Sequence, residues 1–197
     1  MNTIKYRKLK LETGQLLLDM GCGEGRHSIG ALLETPANVV GLDLSFEDLN
    51  TAKSRLNDFD LSGCDTFCAF GVGNIKNIPI ENSSLDAVVC SEVLEHVDSP
   101  KESIQELVIV LKPGGINAVS VPIYQPDLNC WKLSKEYSKT PGGQVRIFKH
   151  SQLRDLSENN GLQYQSFHWA HGLHSPYWWL QCLFWNTRET SYVIKLY

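Results

Sequence analysis

The sequence lacks an excess of basic residues. Its 18 lysines and arginines are outnumbered by 22 aspartates and glutamates, which leaves a formal net charge of −4. Nucleic-acid-binding proteins usually carry a basic stripe, because neutralisation of phosphates supplies most of their affinity. The densest basic stretch, Lys5, Arg7, Lys8 and Lys10, is short and typical of a solvated end of a chain. The composition therefore argues against a nucleic-acid partner.

Two further features are missing: a pair of cysteines at metal-binding spacing and a long apolar run. Six cysteines are present, but no two form a C-x-x-C pair, and their spacing matches no zinc module. Free thiols are the expected state in a reducing cytosol. No apolar run reaches the roughly 18 residues of a membrane-spanning helix, and the first residues lack the apolar core of a signal peptide. The sequence therefore predicts a cytoplasmic protein.

Apolar, strand-like runs alternate with helical patterns along most of the sequence. Such alternation favours parallel β-α-β units with helices on both faces of the sheet. The predicted strands are residues 15–20, 38–44, 66–72, 85–91, 116–121, 162–169 and 190–196. They predict a single α/β domain over residues 1–197 with a doubly wound, Rossmann-like sheet of seven strands. The sheet is expected to be mostly parallel with its last strand antiparallel, and to bind ligands beyond the carboxyl ends of its strands.

Several helix boundaries carry recognisable signals. Ser45 is a predicted N-cap of the helix that follows the second strand. Ser99 and Glu102 form a predicted capping box around Pro100 at the first helical position. The connection at 123–149 does not fit the alternation, since it is long for a loop and therefore typical of a functional lid or a disordered segment. Its aromatic residues argue against full disorder.

The sharpest signal is a glycine loop that follows a buried strand. Residues 16–25 read L-L-L-D-M-G-C-G-E-G, and a helical pattern begins directly after them. Glycine permits a tight turn and the close approach of a ligand, whose polar groups the amides at the helix start can bind. The dinucleotide fingerprint G-x-G-x-x-G does not occur here. Asp19, two residues before Gly21, would repel a pyrophosphate but suits a cationic aminoacyl ligand, and a purely structural turn is the alternative.

Asp43 ends the second predicted strand, 24 residues after Asp19. An acid at about this offset accepts hydrogen bonds from the hydroxyls of a ribose. The structural alternative is an acid that only stabilises the start of the next helix.

Several motifs in a fixed order relate the sequence to one family. They are the glycine loop, V-V-G-L-D at 39–43, I-P-I at 78–80 with S-L-D-A-V-V at 84–89, E-V-L-E-H-V at 92–97 and L-K-P-G-G at 111–115. From Leu16 to about Pro122, the sequence resembles the class I S-adenosylmethionine-dependent methyltransferases, in particular the group that includes ubiquinone-biosynthesis enzymes. These motifs are specific for the fold and the cofactor, but they say little about the methyl acceptor.

The resemblance implies S-adenosyl-L-methionine as the cofactor and S-adenosyl-L-homocysteine as its product. It places Asp43 on the ribose hydroxyls, Leu44 on the adenine, and Asn74 with Ile75 beside the adenine. Asn74 stands where the family usually has aspartate, and an uncharged acceptor predicts somewhat weaker binding. The methionine and ribose part would be lined by Asp19, Gly21, Cys22 and Gly23, with Ser91 near the methionine end. The family's N-terminal helix would be short here, so the site is expected to be more open or to be covered by residues 123–149.

Methyl transfer from an activated cofactor needs alignment and exclusion of water more than a nucleophilic triad. Glu92, Glu95 and His96 stand at i, i+3 and i+4, so they would share one face of a helix. His96 is the candidate general base. Some members of the family place metal ligands on such an E-x-x-E-H pattern, which makes a divalent ion the second alternative. Structural support is the third and is favoured over both.

Two segments remain for the acceptor, residues 123–149 and 168–185. Both follow predicted strands at the carboxyl edge and are rich in aromatic residues, which suit a flat, apolar acceptor. Arg146 could orient an anionic group, with a surface salt bridge as the alternative. Three histidines open the second segment, His168, His171 and His174, for which aromatic packing is favoured over zinc binding.

The sequence therefore predicts an enzyme that transfers a methyl group from S-adenosyl-L-methionine to a small-molecule acceptor, apolar or aromatic. The aromatic run at 177–185 could also contact a membrane surface, or simply belong to the core. A cofactor-binding partner subunit without catalysis is an alternative from another class, and a methyltransferase of protein or RNA is a third. No pattern in the sequence identifies the acceptor atom or the oligomeric state.

Overall fold

The computed structural model describes residues 3–63, 65–134, 143–170 and 175–187. Its centre is a sheet of five parallel strands: β1 (Leu16–Met20), β2 (Asn38–Asp43), β3 (Cys68–Val72), β4 (Leu85–Ser91) and β5 (Leu111–Ser120). The strands lie in the order β3-β2-β1-β4-β5. The chain winds outward from β1 to β3 and then crosses back to β4 beside β1. The carboxyl ends of β1 and β4 therefore flank the switch point at which such sheets bind ligands.

Helices connect these strands and continue beyond β5. They are α1 (Arg26–Glu34), α2 (Phe46–Leu56), α3 (Pro100–Val110), α4 (Tyr124–Leu133), α5 (His150–Glu158) and α6 (Ser175–Leu183). A short 3-10 helix, Tyr6–Lys8, precedes β1. None of the helices in the described ranges is long and apolar enough to cross a membrane.

Both faces of the sheet are buried, which confirms the doubly wound prediction. Leu17 packs with Ala31 of α1 in one apolar cluster, whereas Leu18 packs with Ile104 and Leu107 of α3 in a second cluster. Neither Leu17 nor Leu18 retains any exposed surface. Because neighbouring residues of a strand point to opposite faces, a strand covered on both sides must be apolar at every position. This requirement explains the unbroken apolar run at the start of β1.

The helix starts agree with the sequence in part. The Ser45 Oγ accepts a hydrogen bond from the Asp48 amide at 3.2 Å, so Ser45 caps α2 as predicted. Pro100 occupies the first turn of α3, also as predicted. The capping box at Ser99 is wrong, because the Ser99 side chain makes no capping hydrogen bond. Instead, the amide and the hydroxyl of Ser103 both donate to the Ser99 carbonyl, each at 3.1 Å.

Three predictions concern the later part of the chain. Among the described residues, no strand pairs with residues 162–169, so the predicted sixth strand is not confirmed. The predicted last strand, 190–196, lies outside the described residues, so its predicted antiparallel direction stays a prediction. The connection at 123–149 contains a helix, α4, which accounts for part of its unusual length.

Candidate functional site at the carboxyl edge of the sheet

The glycine loop after β1 forms the floor of the candidate site. The amides of Gly21 and Cys22 both donate to the Leu42 carbonyl, at 2.7 and 3.1 Å, so the loop is fixed to β2. Gly21, Gly23 and Gly25 all have positive φ angles, of 76°, 50° and 81°. A Cβ atom on Gly21 would overlap the Val93 side chain, whereas one on Gly23 would meet nothing within 4 Å. The surface above Gly23 is therefore open to a ligand, while Gly21 lies under a packed side chain.

We expect Gly21→Ala to destabilise the protein by about 2–4 kcal/mol, because it adds an overlap with Val93 to an unfavourable φ angle. Gly14→Ala is the matched control, since Gly14 has a φ angle of 85° but open space around its Cβ position. The control should cost only about 1 kcal/mol. Urea unfolding of both variants measures the difference, and equal losses would contradict the role of Val93.

Asp43 joins the glycine loop to the next helix. Its Oδ2 accepts from the Gly23 amide at 2.8 Å, and its Oδ1 accepts from the Ser45 amide at 2.8 Å. The carboxylate is half-buried, and each oxygen has lone-pair capacity beyond these single bonds. Leu44, the next residue, is 66% exposed. An anionic acceptor and an exposed apolar side chain thus lie side by side at the end of β2.

Asp19 lies beneath the loop rather than on its open side. It is 1% exposed and accepts a hydrogen bond from the Ser28 Oγ at 2.6 Å. Burial raises its pKa to about 6, although the hydrogen bond from Ser28 acts in the opposite direction. Cys22 is also buried, and burial raises the pKa of its thiol. Both side chains support the loop from below.

Asn74 and Ile75 follow β3 on the far side of Asp43. The amide of Gly73 donates to the Asp43 carbonyl at 3.0 Å, which holds this turn beside the end of β2. The Asn74 Oδ1 already accepts from the Lys76 amide at 2.9 Å. Asn74 is exposed and Ile75 is 4% exposed, so only the former presents polar atoms to the surface.

Ser91, at the end of β4, belongs to a cluster of polar side chains that the sequence did not predict. Its Oγ lies 2.6 Å from the Ser120 Oγ at the end of β5 and 2.9 Å from the Thr3 Oγ1. The Thr3 Oγ1 in turn lies 3.0 Å from the His27 Nε2, and the Tyr6 hydroxyl lies 3.0 Å from the His27 Nδ1. These five residues come from four separate stretches of the chain, so no spacing of neighbouring residues in the sequence predicts the cluster. The single available signal was the position of His27 directly after the glycine loop.

The N-terminal segment, residues 3–9, covers this edge of the sheet. Ile4, Tyr6 and Leu9 are buried against α1 and the strands β1, β2 and β4. His168 donates from Nε2 to the Thr3 carbonyl at 2.9 Å, which brings the start of the second acceptor segment to the same place. Residues 3–9 therefore lie over the carboxyl ends of β4 and β5, whereas the surface above Gly23 stays open.

Glu92, Glu95 and His96 do not share a helical face, because residues 92–98 form a turn rather than a helix. Glu92 has a φ angle of 59° and pairs with Arg26 at 3.6 Å. Glu95 is 1% exposed, whereas the His96 side chain is 38% exposed, and the His96 Nε2 lies 3.9 Å from the Glu95 Oε1. In the described ranges, no group of three or more potential ligands is arranged to hold a metal ion.

Glu95 is a buried acid without a hydrogen-bond partner on either carboxyl oxygen. Burial raises its pKa to about 8, and the negative charges of Glu92 and Asp127 act in the same direction. A buried polar group without a partner is unusual in folded proteins. Its neutral, protonated form is therefore the one favoured by the fold near neutral pH.

Arg146 holds the turn that contains Glu95. Its guanidinium donates to the carbonyls of Leu94, Val97 and Asp98. The amide of Val145 adds a hydrogen bond of 2.9 Å to the Glu95 carbonyl. Neither predicted role of Arg146 is seen in these contacts, which are to backbone carbonyls and not to a surface carboxylate or an open pocket.

The two segments predicted to bind the acceptor contact each other through α4 and α6. The Trp179 indole nitrogen donates to the Pro126 carbonyl at 3.0 Å. Cys130 and Cys182 are both 1% exposed, whereas Trp178 remains 49% exposed. His171 and His174 lie outside the described residues. Among its described residues, the second segment thus exposes two large aromatic side chains, Trp178 beside the packed helix pair and Trp169, which is 64% exposed.

Comparison with known proteins identifies the family. The model of the methyltransferase domain family matches residues 18–119, more than half of the 197 residues of the chain. The chain belongs to this methyltransferase family. The matched region runs from β1 to β5, so it contains the glycine loop, Asp43, Asn74 and Ser91. The family resemblance and its cofactor, S-adenosylmethionine, are thereby confirmed.

Two curated relatives of this chain are methyltransferases that it matches over only part of their length. Ubiquinone biosynthesis O-methyltransferase of Colwellia psychrerythraea is 36% identical over 159 residues, which are 75% of this chain and 60% of that protein. Methyltransferase GfsG of Streptomyces halstedii is 27% identical over 115 residues, or 58% of this chain and 40% of that protein. The chain therefore spans less than two thirds of the length of these relatives. The solved structure of YcgJ from Bacillus subtilis shares the fold, with a TM-score of 0.73 at 18% identity over 97% of this chain and 78% of that one.

Proposed function

We propose that the protein transfers a methyl group from S-adenosyl-L-methionine to a hydroxyl oxygen of a small aromatic acceptor. The observation that carries this proposal is the open surface above Gly23, whose amide is bound to the Asp43 carboxylate at 2.8 Å. A ligand that lies on the loop backbone is therefore next to the Asp43 carboxylate. An anionic hydrogen-bond acceptor in this position suits the hydroxyls of a ribose. When bound, the cofactor supplies an electrophilic methyl group.

The residues at the edge fit the parts of this cofactor. Asp43 would accept hydrogen bonds from the ribose hydroxyls with its remaining lone pairs, and the exposed Leu44 side chain would cover one face of the adenine. Asn74 and Ile75 would border the adenine from the end of β3. The methionine part would lie over the loop and near the end of β4. The residues for that part are Gly21, Cys22, Gly23 and Ser91, with Asp19 supporting the loop from below.

A small aromatic acceptor is supported by the surroundings of the site. The net charge of −4 disfavours a polyanionic nucleic acid. Trp178, 49% exposed on α6, offers a flat apolar surface, and aromatic side chains suit flat acceptors because they bury a large area. Among the relatives, the enzyme from Colwellia psychrerythraea is named as an O-methyltransferase. His96 is half-exposed beside Glu95 and is a candidate base in this proposal.

The proposal is tested by incubating the protein with radiolabelled S-adenosyl-L-methionine and a panel of catechols, hydroquinones, amines and thiols. We expect label to appear in the ether products of phenolic acceptors. Trp178→Ala should raise the Michaelis constant for the acceptor about tenfold, the equivalent of losing one well-packed aromatic contact.

Phe67→Ala is the control for Trp178→Ala, because Phe67 is similarly exposed, at 52%, but precedes β3 at the opposite edge of the sheet. It should leave the Michaelis constant unchanged. Transfer only to amines or thiols would contradict the proposal. Cofactor binding without transfer to any acceptor would favour a partner subunit without catalysis.

A further inference from the structure

The polar cluster at the ends of β4 and β5 forms a continuous chain of hydrogen bonds. From Ser120, it passes to Ser91 at 2.6 Å and then to Thr3 at 2.9 Å, and it ends at the His27 Nε2 after a further 3.0 Å. The Thr3 Oγ1 and the Ser120 Oγ also lie 3.2 Å apart, so these two hydroxyls contact each other directly as well as through Ser91. Thr3, Ser91 and His27 are each less than 9% exposed, whereas Ser120 is half-buried. The chain therefore has one end near solvent and one end in the interior.

Tyr6 fixes the direction of this chain. Its hydroxyl donates its single hydrogen to the His27 carbonyl at 2.8 Å. The second contact of the same hydroxyl, with the His27 Nδ1 at 3.0 Å, must then be donated by the imidazole. With the hydrogen on Nδ1, the neutral imidazole presents a lone pair at Nε2 to Thr3. Each hydroxyl can then donate inward, Ser120 to Ser91, Ser91 to Thr3 and Thr3 to His27.

We propose that the Ser120–Ser91–Thr3 chain carries a proton from the acceptor's hydroxyl group to His27, which Tyr6 orients. This inference rests on the proposed function. It assigns to Ser120 the contact with the acceptor, because Ser120 is the accessible member and leads directly to α4 in the first acceptor segment. His27 does not contact the acceptor and acts on it only through the three hydroxyls, so it is a positioning residue. Its Nε2, at the inner end of the chain, is the atom that accepts the proton.

The proton transfer balances without a further reactant. The acceptor's O–H bond breaks, and its electron pair stays on the oxygen to form the new bond to the methyl carbon. The bond between that carbon and the donor's sulfur breaks at the same time, and its electron pair stays on the sulfur. One proton enters at Ser120 while one proton reaches the His27 Nε2, so that each hydroxyl ends with a single hydrogen. The positive charge lost by the methyl donor appears on the imidazole, which releases its proton to solvent after the product leaves.

The surroundings of His27 suit this role better than those of His96. His96 is half-exposed and faces the carboxyl group of Glu95, whereas the His27 Nε2 is directed into the hydroxyl chain. Among the residues that the structure describes, the ionisable groups around this end of the molecule include Asp19 on β1, Arg26 and Glu34 on α1, Glu92 paired with Arg26, and His168 at the Thr3 carbonyl.

The first test reads the tautomer of His27 without any turnover. In the full-length chain labelled with ¹⁵N, long-range ¹H–¹⁵N spectra at neutral pH should show hydrogen on Nδ1 and none on Nε2. The His27 signals are those absent from His27→Gln. Tyr6→Phe should remove this preference, because the acceptor for the Nδ1 hydrogen is gone. A wild-type imidazole with its hydrogen on Nε2 would overturn the chain's direction.

The second test uses the phenolic acceptor that gives the highest rate in the labelled panel. His27→Gln keeps a hydrogen-bond acceptor for Thr3 but cannot take up a proton, so kcat should fall at least 100-fold, as is typical for loss of a proton acceptor. The Michaelis constant and the affinity for S-adenosyl-L-homocysteine should stay within about threefold. The wild type should lose rate at acid pH, where His27 is already protonated before turnover, and the variant should lack this dependence.

His150→Gln is the matched control, since His150 is exposed on α5, and it should keep the wild-type rate. Ser120→Ala should reproduce the effect of His27→Gln on kcat. An unchanged pH profile in His27→Gln, or a loss confined to cofactor affinity, would overturn the proton path while leaving the proposed function intact. If no phenol is methylated, the proposed function itself is contradicted. The spectra would still show which nitrogen of His27 carries the hydrogen.

Discussion

Replacing Asp43 by alanine should weaken the binding of S-adenosyl-L-methionine and S-adenosyl-L-homocysteine by one to two orders of magnitude. The carboxylate is half-buried at the end of β2, and both of its oxygens point toward the glycine loop and the start of α2. A hydrogen bond to a charged group contributes about 1.5–3 kcal/mol, which corresponds to a 10- to 100-fold change in the dissociation constant. Isothermal titration calorimetry with either nucleoside measures the change.

A structural loss must be separated from a lost ligand contact, because Asp43 also holds the amides of Gly23 and Ser45. Asp43→Asn keeps one carbonyl oxygen for these amides but removes the charge, so its affinity should fall between those of the wild type and Asp43→Ala. Asp48→Ala removes another acid from the first turn of α2 and should leave the affinity within about threefold. Unchanged binding by Asp43→Ala at full thermal stability would refute the role of Asp43.

Replacing Glu95 by glutamine should stabilise the protein by a few kcal/mol at pH 8 and above. The folded-state pKa of Glu95 is raised to about 8 from an ordinary value of 4.5, chiefly by burial. Between these two values the folded state binds the proton more tightly than the unfolded state does. The free energy of unfolding therefore decreases as pH rises through this interval, at about 1.4 kcal/mol per pH unit. Glutamine does not titrate, so the variant lacks this contribution.

The measurement is urea unfolding of wild type and Glu95→Gln from pH 5 to pH 9. The difference in unfolding free energy should grow with pH toward a plateau above pH 8. The smallest difference, at pH 5, serves as the internal reference, because the Glu95 carboxyl group is then protonated in the folded wild type. A constant difference for Glu95→Gln would show that the buried carboxyl group is stabilised by a partner. Loss of activity on chelation, reproduced by Glu95→Gln, would instead support the metal alternative.

The sequence was most informative where one local pattern fixes both a backbone conformation and a position on the sheet. The run at 16–25 combines an apolar strand, alternating glycines and a helix start, so it predicted β1, the loop and α1 together. Asp43 was predicted as a candidate because an acid at the end of a strand is a typical acceptor for ribose hydroxyls, and the structure places it beside the glycine loop. Residues 92–98 were less informative, because the spacing of Glu92, Glu95 and His96 is compatible with a helix. Tertiary contacts from Arg146 and Val145 hold them in a turn instead.

The sequence by itself determined the parallel α/β core, because periodicity and glycine conformations are local properties that survive in any chain with this pattern. It also predicted the edge of the sheet that carries the candidate site, since that edge follows from the order of strands and helices. Only the tertiary structure decided which distant side chains meet there. Thr3, His27, Ser91 and Ser120 lie up to 117 positions apart, and hydrogen bonds over such separations leave no period in a sequence. Their contact exists because residues 3–9 pack against α1 and the strands, where burial of Tyr6 and Ile4 fixes the segment over the strand ends.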